Sequence, residues 1–319
     1  MFRMMNGARI AVGIQGLVLT SSAYLNALEY TKERKQGANF KQWKDPTAPR
    51  VPIFEHPNTR RLLLEMKAHV EGIRALVIKL AAHRDRAIIN QGKDDEKFAY
   101  HAGQVDLLTP LVKAYSADEA FRLCSQAIQI YGGAGFLKDW PVEQYTRDAK
   151  IFSIYEGTTH IQAMDLVGRK LGQNGGANFQ GFISDVSAFV EANRKHPTFG
   201  PEAERLGQAS ESLMQVAMTM MGWSQSGKVE LVPLSANNAL KMMSITSVAW
   251  LLLEAGVKAE AAQAKLAKGS ADAAFYKGKV ASALWYGRNI LPQVEGLAKV
   301  ALLEDASPTE LEDAAFASE

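Results

Sequence analysis

Glu156 stands directly before Gly157 and two threonines, in Ser153-Ile154-Tyr155-Glu156-Gly157-Thr158-Thr159, where a loop is expected to run into a helix beginning at His160. A carboxylate at such a junction projects into a cleft instead of lying along a helix face, and there it can take a proton from a bound molecule. The placement equally suits an acid that complements the positive end of a helix, and the local sequence leaves both readings open. Gly132-Gly133-Ala134-Gly135 lets a backbone approach a phosphate or ring closely, because glycine has no side chain to hold it off. That cluster follows a helix and lacks the G-x-G-x-x-G spacing, so helix termination and a turn account for it as well. Arg34, at the end of the first expected helix, either pairs with a phosphate or complements that helix's negative end.

Other chemistries find little support. The six histidines show no spacing such as H-E-x-x-H and no cysteine pair accompanies them, so no metal site is expected. Cys124 is the sole cysteine; it excludes an intramolecular disulfide, and its neighbours Phe121, Leu123 and Ile128 mark it as a small buried residue. Met214, Met218 and Met221 fall at helical spacing and read as core filling. No G-x-S-x-G elbow or P-loop occurs. With 36 basic and 34 acidic side chains interspersed and a net charge of +2, there is no electrostatic footprint for nucleic acid. The first residues lack a basic region followed by an apolar stretch, no apolar run reaches the roughly 18 residues of a membrane span, and the chain reads as cytoplasmic.

The elements that must position these residues are helices. Apolar residues recur at three-and-four spacing and strict alternation is almost absent, so the fold class is all-α: a long antiparallel four-helix-type bundle followed by an additional helical extension. The 319-residue length suits two packed helical units, and 47% hydrophobic with 22% charged residues is ordinary globular composition. The first helix is expected over about 8–34, buried along Ile10, Ile14, Leu17, Leu25 and Leu28, with Gly37 beyond it. Residues 38–57 hold four prolines and read as an ordered loop, with Asn58 as N-cap of a helix to about 90. A third helix spans about 94–131 with Pro110 inside it, a short one 142–152, and another 160–170. Gly172-Gln173-Asn174-Gly175-Gly176 is the clearest internal boundary, dividing 1–171 from an extension, 172–319, of about four helices broken near 196–201, 222–233 and 268–270.

Five blocks then occur in order: Arg34-Lys35-Gln36-Gly37, Glu55-His56, Ile128-Gln129-Ile130-Tyr131 with the glycine cluster and Phe136, Arg147-Asp148-Ala149-Lys150-Ile151, and Tyr155-Glu156-Gly157-Thr158. Over residues 4–171 this succession resembles the acyl-CoA dehydrogenase family. The expanded loop before Glu55 and the extension after Gly172 resemble the subgroup that includes 3-methylmercaptopropionyl-CoA dehydrogenase.

The resemblance implies an FAD-dependent oxidoreductase that converts an acyl-CoA thioester to its trans-2-enoyl-CoA. Glu156 matches the base that takes the proton next to the thioester carbonyl, while the flavin accepts hydride from the following carbon. A bound acyl chain would strip water from this carboxylate and strengthen it as a base. The backbone N–H of the base and the flavin's ribityl group would hold the thioester oxygen. Tyr155, Gly157 and Arg9 correspond to substrate-site positions. Arg34 and Gln36 would approach the FAD pyrophosphate from a neighbouring subunit, Gln129, Gly132 and Gly133 would face the adenosine, and Thr158 and His160 would lie on the dinucleotide nearer Glu156. Two positions depart from the pattern: Gln36 directly precedes Gly37 where many relatives have Thr-Phe, and His160 stands where glutamine is common. The resemblance also implies an N-terminal helical domain and a central β-domain, neither of which is in this sequence, so the chain is expected to supply only part of the FAD pocket, as a truncated form, proteolytic product or split subunit. A dimer or tetramer and electron-transfer flavoprotein as partner are implied as well. The alternatives are a non-catalytic helical oligomerisation module and a scaffold for protein partners.

Overall fold

The computed structural model of the chain describes residues 2–267 and 269–317. Among these, ten helices follow one another: α1 (Phe2–Glu33), α2 (Pro57–Asn90), α3 (Asp95–Tyr131), α4 (Pro141–Lys150), α5 (Thr159–Asp165), α6 (Ala177–Asn193), α7 (Gly200–Ser226), α8 (Leu231–Gln263), α9 (Ala271–Asn289) and α10 (Gln293–Ala301), besides short helical turns. The all-α class expected from the periodicity is what the chain adopts. Residues 38–57 are not a simple loop: β1 (Lys35–Ala38) and β2 (Arg50–Pro52) pair antiparallel, Lys35 opposite Pro52 and Ala38 opposite Arg50, with an irregularity between. His56, not Asn58, caps α2, and Pro57 takes the first helical position, where its missing N–H costs nothing.

Helix α1 begins six residues before the expected start, and its buried face differs from the expected stripe. Val12, Leu17, Ala23 and Ala27 are buried, whereas Ile14 and Leu25 are exposed. The reason is glycine. A Cβ on Gly13 would lie 2.8 Å from the carbonyl oxygen of Val112, and one on Gly16 would lie 2.6 Å from that of Ser116. The two helices therefore touch backbone to backbone, and the face of α1 that meets α3 is lined by small residues. Contacts from Gly13 to Val112, Gly16 to Ser116 and Tyr30 to Tyr131 run in register, so α1 and α3 are parallel. Helix α2 runs against α3, with His83 beside His101 and Glu65 beside Arg122.

The extension holds five helices where about four were expected, because the chain turns again at 290–292 on buried Ile290 and Leu291. Helix α7 also continues through Gly222, and Pro233 falls in the first turn of α8. Met214, Met218 and Met221 are exposed, contrary to the core-filling expectation; α7 buries its other face, through Leu213, Val216, Ala217 and Met220. One large hydrophobic core joins residues of the bundle, such as Ile73 and Leu111, to Phe182, Leu206 and Val248 of the extension. Polar contacts cross the same seam: Tyr115 and Tyr286 hydroxyls at 2.6 Å, and Lys67 Nζ to Ser282 Oγ at 3.0 Å. Both α1 and α8 are long and apolar enough to cross a membrane by length and composition alone; 78% of the apolar window of α8 is buried inside the molecule.

The α1–α3 contact yields a stability test. Gly16→Ala adds a methyl group against a backbone oxygen and is expected to lower unfolding free energy by about 1 to 3 kcal/mol in urea denaturation. Gly222→Ala, in helix α7 with no atom within 4 Å of the added Cβ, is expected to raise it by up to about 1 kcal/mol.

Candidate active site

Residues 155–158 form a turn between a single helical turn at Ile151–Ser153 and α5. Its backbone is left-handed at two successive positions, φ 56° at Glu156 and 91° at Gly157. The second is suited to glycine; the first costs a non-glycine residue about 1 kcal/mol or more. The conformation persists because its carbonyls are tied from below. Lys113 Nζ of α3 donates to the Gly157 oxygen at 2.5 Å, and Gln162 Nε2 of α5 reaches the Glu156 and Gly157 oxygens at 3.3 and 3.4 Å. Thr158 caps α5 by accepting the Ile161 N–H at 3.3 Å, and Thr159 donates to Asp118 at 2.7 Å. The Tyr155 hydroxyl donates to the Gln15 side chain on α1.

Anchored backbone and free side chain are thus combined at Glu156. Its side chain is exposed. Around it the electrostatics are uneven. Burial, partly offset by Asp118 and Glu156, brings the Lys113 ammonium down to about 8. Burial raises the Asp118 carboxyl, and burial together with the charge of Glu156 raises the Tyr155 phenol. Arg9 is placed below this surface, 5% exposed, with its guanidinium 2.8 Å from Asp165, which Arg169 shares at 2.7 Å. The Arg9 Nε has no hydrogen-bond partner among the described residues. His160 is exposed and contacts Asn237 of α8 at 3.1 Å.

The remaining expected residues gather at the other end of α1. Tyr30 and Tyr131 stack with ring centroids 3.9 Å apart, and Trp140 packs edge-on against both. This stack fixes the end of α3, where Gly132 has φ 62° and closes the helix. A Cβ on Gly132 or Gly133 would meet no atom within 4 Å, so that backbone is open to an approaching group. Gln129 is exposed beside it, as are Arg34 and Gln36 on the hairpin. The His56 ring meets the Gln36 carbonyl oxygen at 2.7 Å and steadies the hairpin. The structure therefore brings Tyr155, Glu156, Gly157, Thr158 and His160 together, and separately Arg34, Gln36, Gln129, Gly132 and Gly133. Along α1 the 19 residues from Gln15 to Arg34 amount to about 28 Å, which separates the two groups.

Sequence reasoning did not single out Lys113, Gln162, Gln15 or Asp165. A signal existed for the first: a lysine within the apolar run Leu107, Leu108, Leu111, Val112, Ala114, Tyr115 occupies a core position. Cys124 is buried as expected, its thiol pushed up to about 12 by burial. Among the described residues no three His, Cys, Asp or Glu side chains gather as a metal site.

Residues 1–171 match the family model described as acyl-CoA dehydrogenase, C-terminal domain, and residues 182–312 that described as acetyl-CoA dehydrogenase C-terminal like. The chain belongs to the acyl-CoA dehydrogenase family. It is 36% identical, over 99% of its length, to the broad-specificity linear acyl-CoA dehydrogenase FadE5 of Mycobacterium tuberculosis, of which it covers 52%. It is likewise 36% identical, over 91% of its length, to 3-methylmercaptopropionyl-CoA dehydrogenase of Ruegeria pomeroyi, covering 48%. The chain thus spans about half the length of the curated acyl-CoA dehydrogenases it matches. Its fold is shared with Caenorhabditis elegans ACDH-11 in complex with C11-CoA, at TM-score 0.70 and 19% identity over 90% of this chain and 43% of that one. An acyl-CoA dehydrogenase of Bacillus anthracis complexed with FAD gives TM-score 0.69 and 17% identity over 94% and 49%.

The buried Arg9–Asp165 pair makes a prediction about this acyl-CoA dehydrogenase surface. Asp165→Ala leaves a buried guanidinium without its nearest carboxylate and is expected to cost about 3 kcal/mol of stability in urea denaturation. The double change Arg9→Met, Asp165→Leu is expected to cost less than the single one.

Proposed function

We propose that this chain supplies the proton-abstracting base and part of the FAD contact surface of an acyl-CoA dehydrogenase that converts an acyl-CoA thioester to its trans-2-enoyl-CoA. The observation that carries the reading is Glu156, an exposed carboxylate on a strained turn whose backbone is anchored by Lys113 and Gln162. An oligomerisation module has no need of a strained acid. In this reading Glu156 takes the proton from the carbon next to the thioester carbonyl. The Glu156 backbone N–H stabilises the charge that develops on the thioester oxygen, and Tyr155 and Gly157 line the substrate beside it. A bound acyl chain excludes water from the carboxylate. Arg9, committed to Asp165, acts by shaping the floor of the site.

The residues fit a dinucleotide. Open backbone at Gly132 and Gly133 suits close approach of the adenosine part beside Gln129. Arg34 takes part in no ion pair among the described residues and is available to a pyrophosphate next to Gln36. Thr158 and His160 lie on the dinucleotide side of Glu156. FAD, when bound, supplies the acceptor for the hydride from the second carbon. The distance between the two groups of residues supports a site completed by a second copy of the chain, in a dimer or tetramer. The bundle carries this chemistry and helices α6 to α10 buttress it through the common core. Electron-transfer flavoprotein, the partner the family resemblance implies, is the proposed electron acceptor.

The test joins this chain to the first half of the M. tuberculosis relative, adds FAD, removes the excess by desalting and then adds acyl-CoA without oxygen. The flavin absorbance is expected to be retained and to bleach in wild type, and to be retained without bleaching in Glu156→Gln. Bleaching of the variant at the wild-type rate would contradict the assignment.

A further inference from the structure

Lys113 has no exposed surface and lies on the buried side of α3, with Thr109 and Ser116 one turn away and Leu111, Val112 and Ala114 beside it. An ammonium carries three donors and is costly to bury unless a counter-charge meets it. No ion pair among the described residues includes Lys113; its Nζ donates at 2.5 Å to a backbone carbonyl, that of Gly157. Stability alone does not explain this choice, since an uncharged side chain of similar bulk would avoid the cost of burying an ammonium. The carbonyl it grips is the one directly after Glu156, in the stretch where two successive residues are left-handed. Gln162 contributes only long contacts to the same turn, at 3.3 and 3.4 Å. Three charged groups influence the ammonium: Asp118 on α3, Arg9 on α1 and Glu156 on the turn.

We propose that Lys113 is a positioning residue for Glu156, holding the Glu156–Gly157 backbone in its left-handed form through the Gly157 carbonyl and so aiming the carboxylate. The proposal rests on the reading of Glu156 as base, but the coupling of Lys113 to the turn is measurable without it. Because burial, against the pull of Asp118, brings the ammonium down to about 8, the grip has a pH dependence. As pH rises through that value the ammonium becomes an amine and the hydrogen bond loses its charge assistance. The turn then loosens, and turnover falls on the alkaline side.

Gly157-Thr158 is the single Gly-Thr pair in the sequence, so glycine labelled at its carbonyl carbon with ¹³C and threonine labelled with ¹⁵N give one assigned signal in this chain. Between pH 6.5 and 9.5 the Gly157 carbonyl shift is expected to titrate with a midpoint near 8 in wild type and to stay flat in Lys113→Met. A carbonyl signal that does not move in wild type, or that moves equally in Lys113→Met, would overturn the proposal; the wild-type titration decides even should the variant fail to fold. In the flavin-loaded chimera, Lys113→Met is expected to lower kcat ten- to hundred-fold at little change in KM and to remove the alkaline fall. Full activity in Glu156→Gln alongside a normal wild-type carbonyl titration would defeat the base assignment and leave the coupling of Lys113 to the turn standing.

Discussion

Gly13 and Gly16 let α1 lie against α3 with no side chain between them, and the geometry of the candidate site follows from that approach. Once the backbones touch there, Gln15 on α1 and Lys113 on α3 stand on either side of the seam, one reaching the Tyr155 hydroxyl and the other the Gly157 carbonyl. Parallel packing then carries the register to the far ends, where Tyr30 and Tyr131 stack. A single helix–helix contact thus fixes both groups of candidate residues and the distance between them. Interiors pack too densely to absorb a shift in such a contact without moving what hangs from it.

The helical class, the C-terminal end of α2, the ends of α3, and the turn carrying Glu156 were legible in the sequence because each has a local cause. Helical periodicity marks α2, Asp94 caps α3 by accepting the Lys97 N–H, and Gly132 ends it. The buried face of α1 was not legible: its apolar residues Ile14 and Leu25 point outward, and the contact is made by glycines, which hydrophobic pattern does not register. The same limit explains the methionines of α7, whose helical spacing is consistent with either face of a helix that has apolar residues on both. The hairpin escaped because its pairing is set by the closeness of the two flanking helix ends and not by alternation along four- and three-residue strands. At the site, Glu156 and its neighbours followed from an ordered succession of short blocks. Lys113 and Gln162 lie 43 positions before and 6 after Glu156, and only the fold brings them beneath the turn.

Helices α6 to α10 share one core with the bundle, and they meet the site where Asn237 of α8 contacts His160 and support α3 where Tyr286 of α9 meets Tyr115. That arrangement gives the extension a mechanical role in the account: it holds α3 and α5 from behind while their other side carries the turn. The exposed Glu156 lies at one end of the α1–α3 pair, and the open glycines and exposed Arg34 lie at the other.

In the proposed mechanism Glu156 removes the proton next to the thioester carbonyl. Uptake of solvent deuterium at that carbon of acyl-CoA, followed by mass spectrometry in the flavin-loaded chimera, measures the step itself. Exchange is expected with wild type and a loss of at least a hundred-fold in Glu156→Gln; exchange at the wild-type rate in that variant would rule out Glu156 as the base.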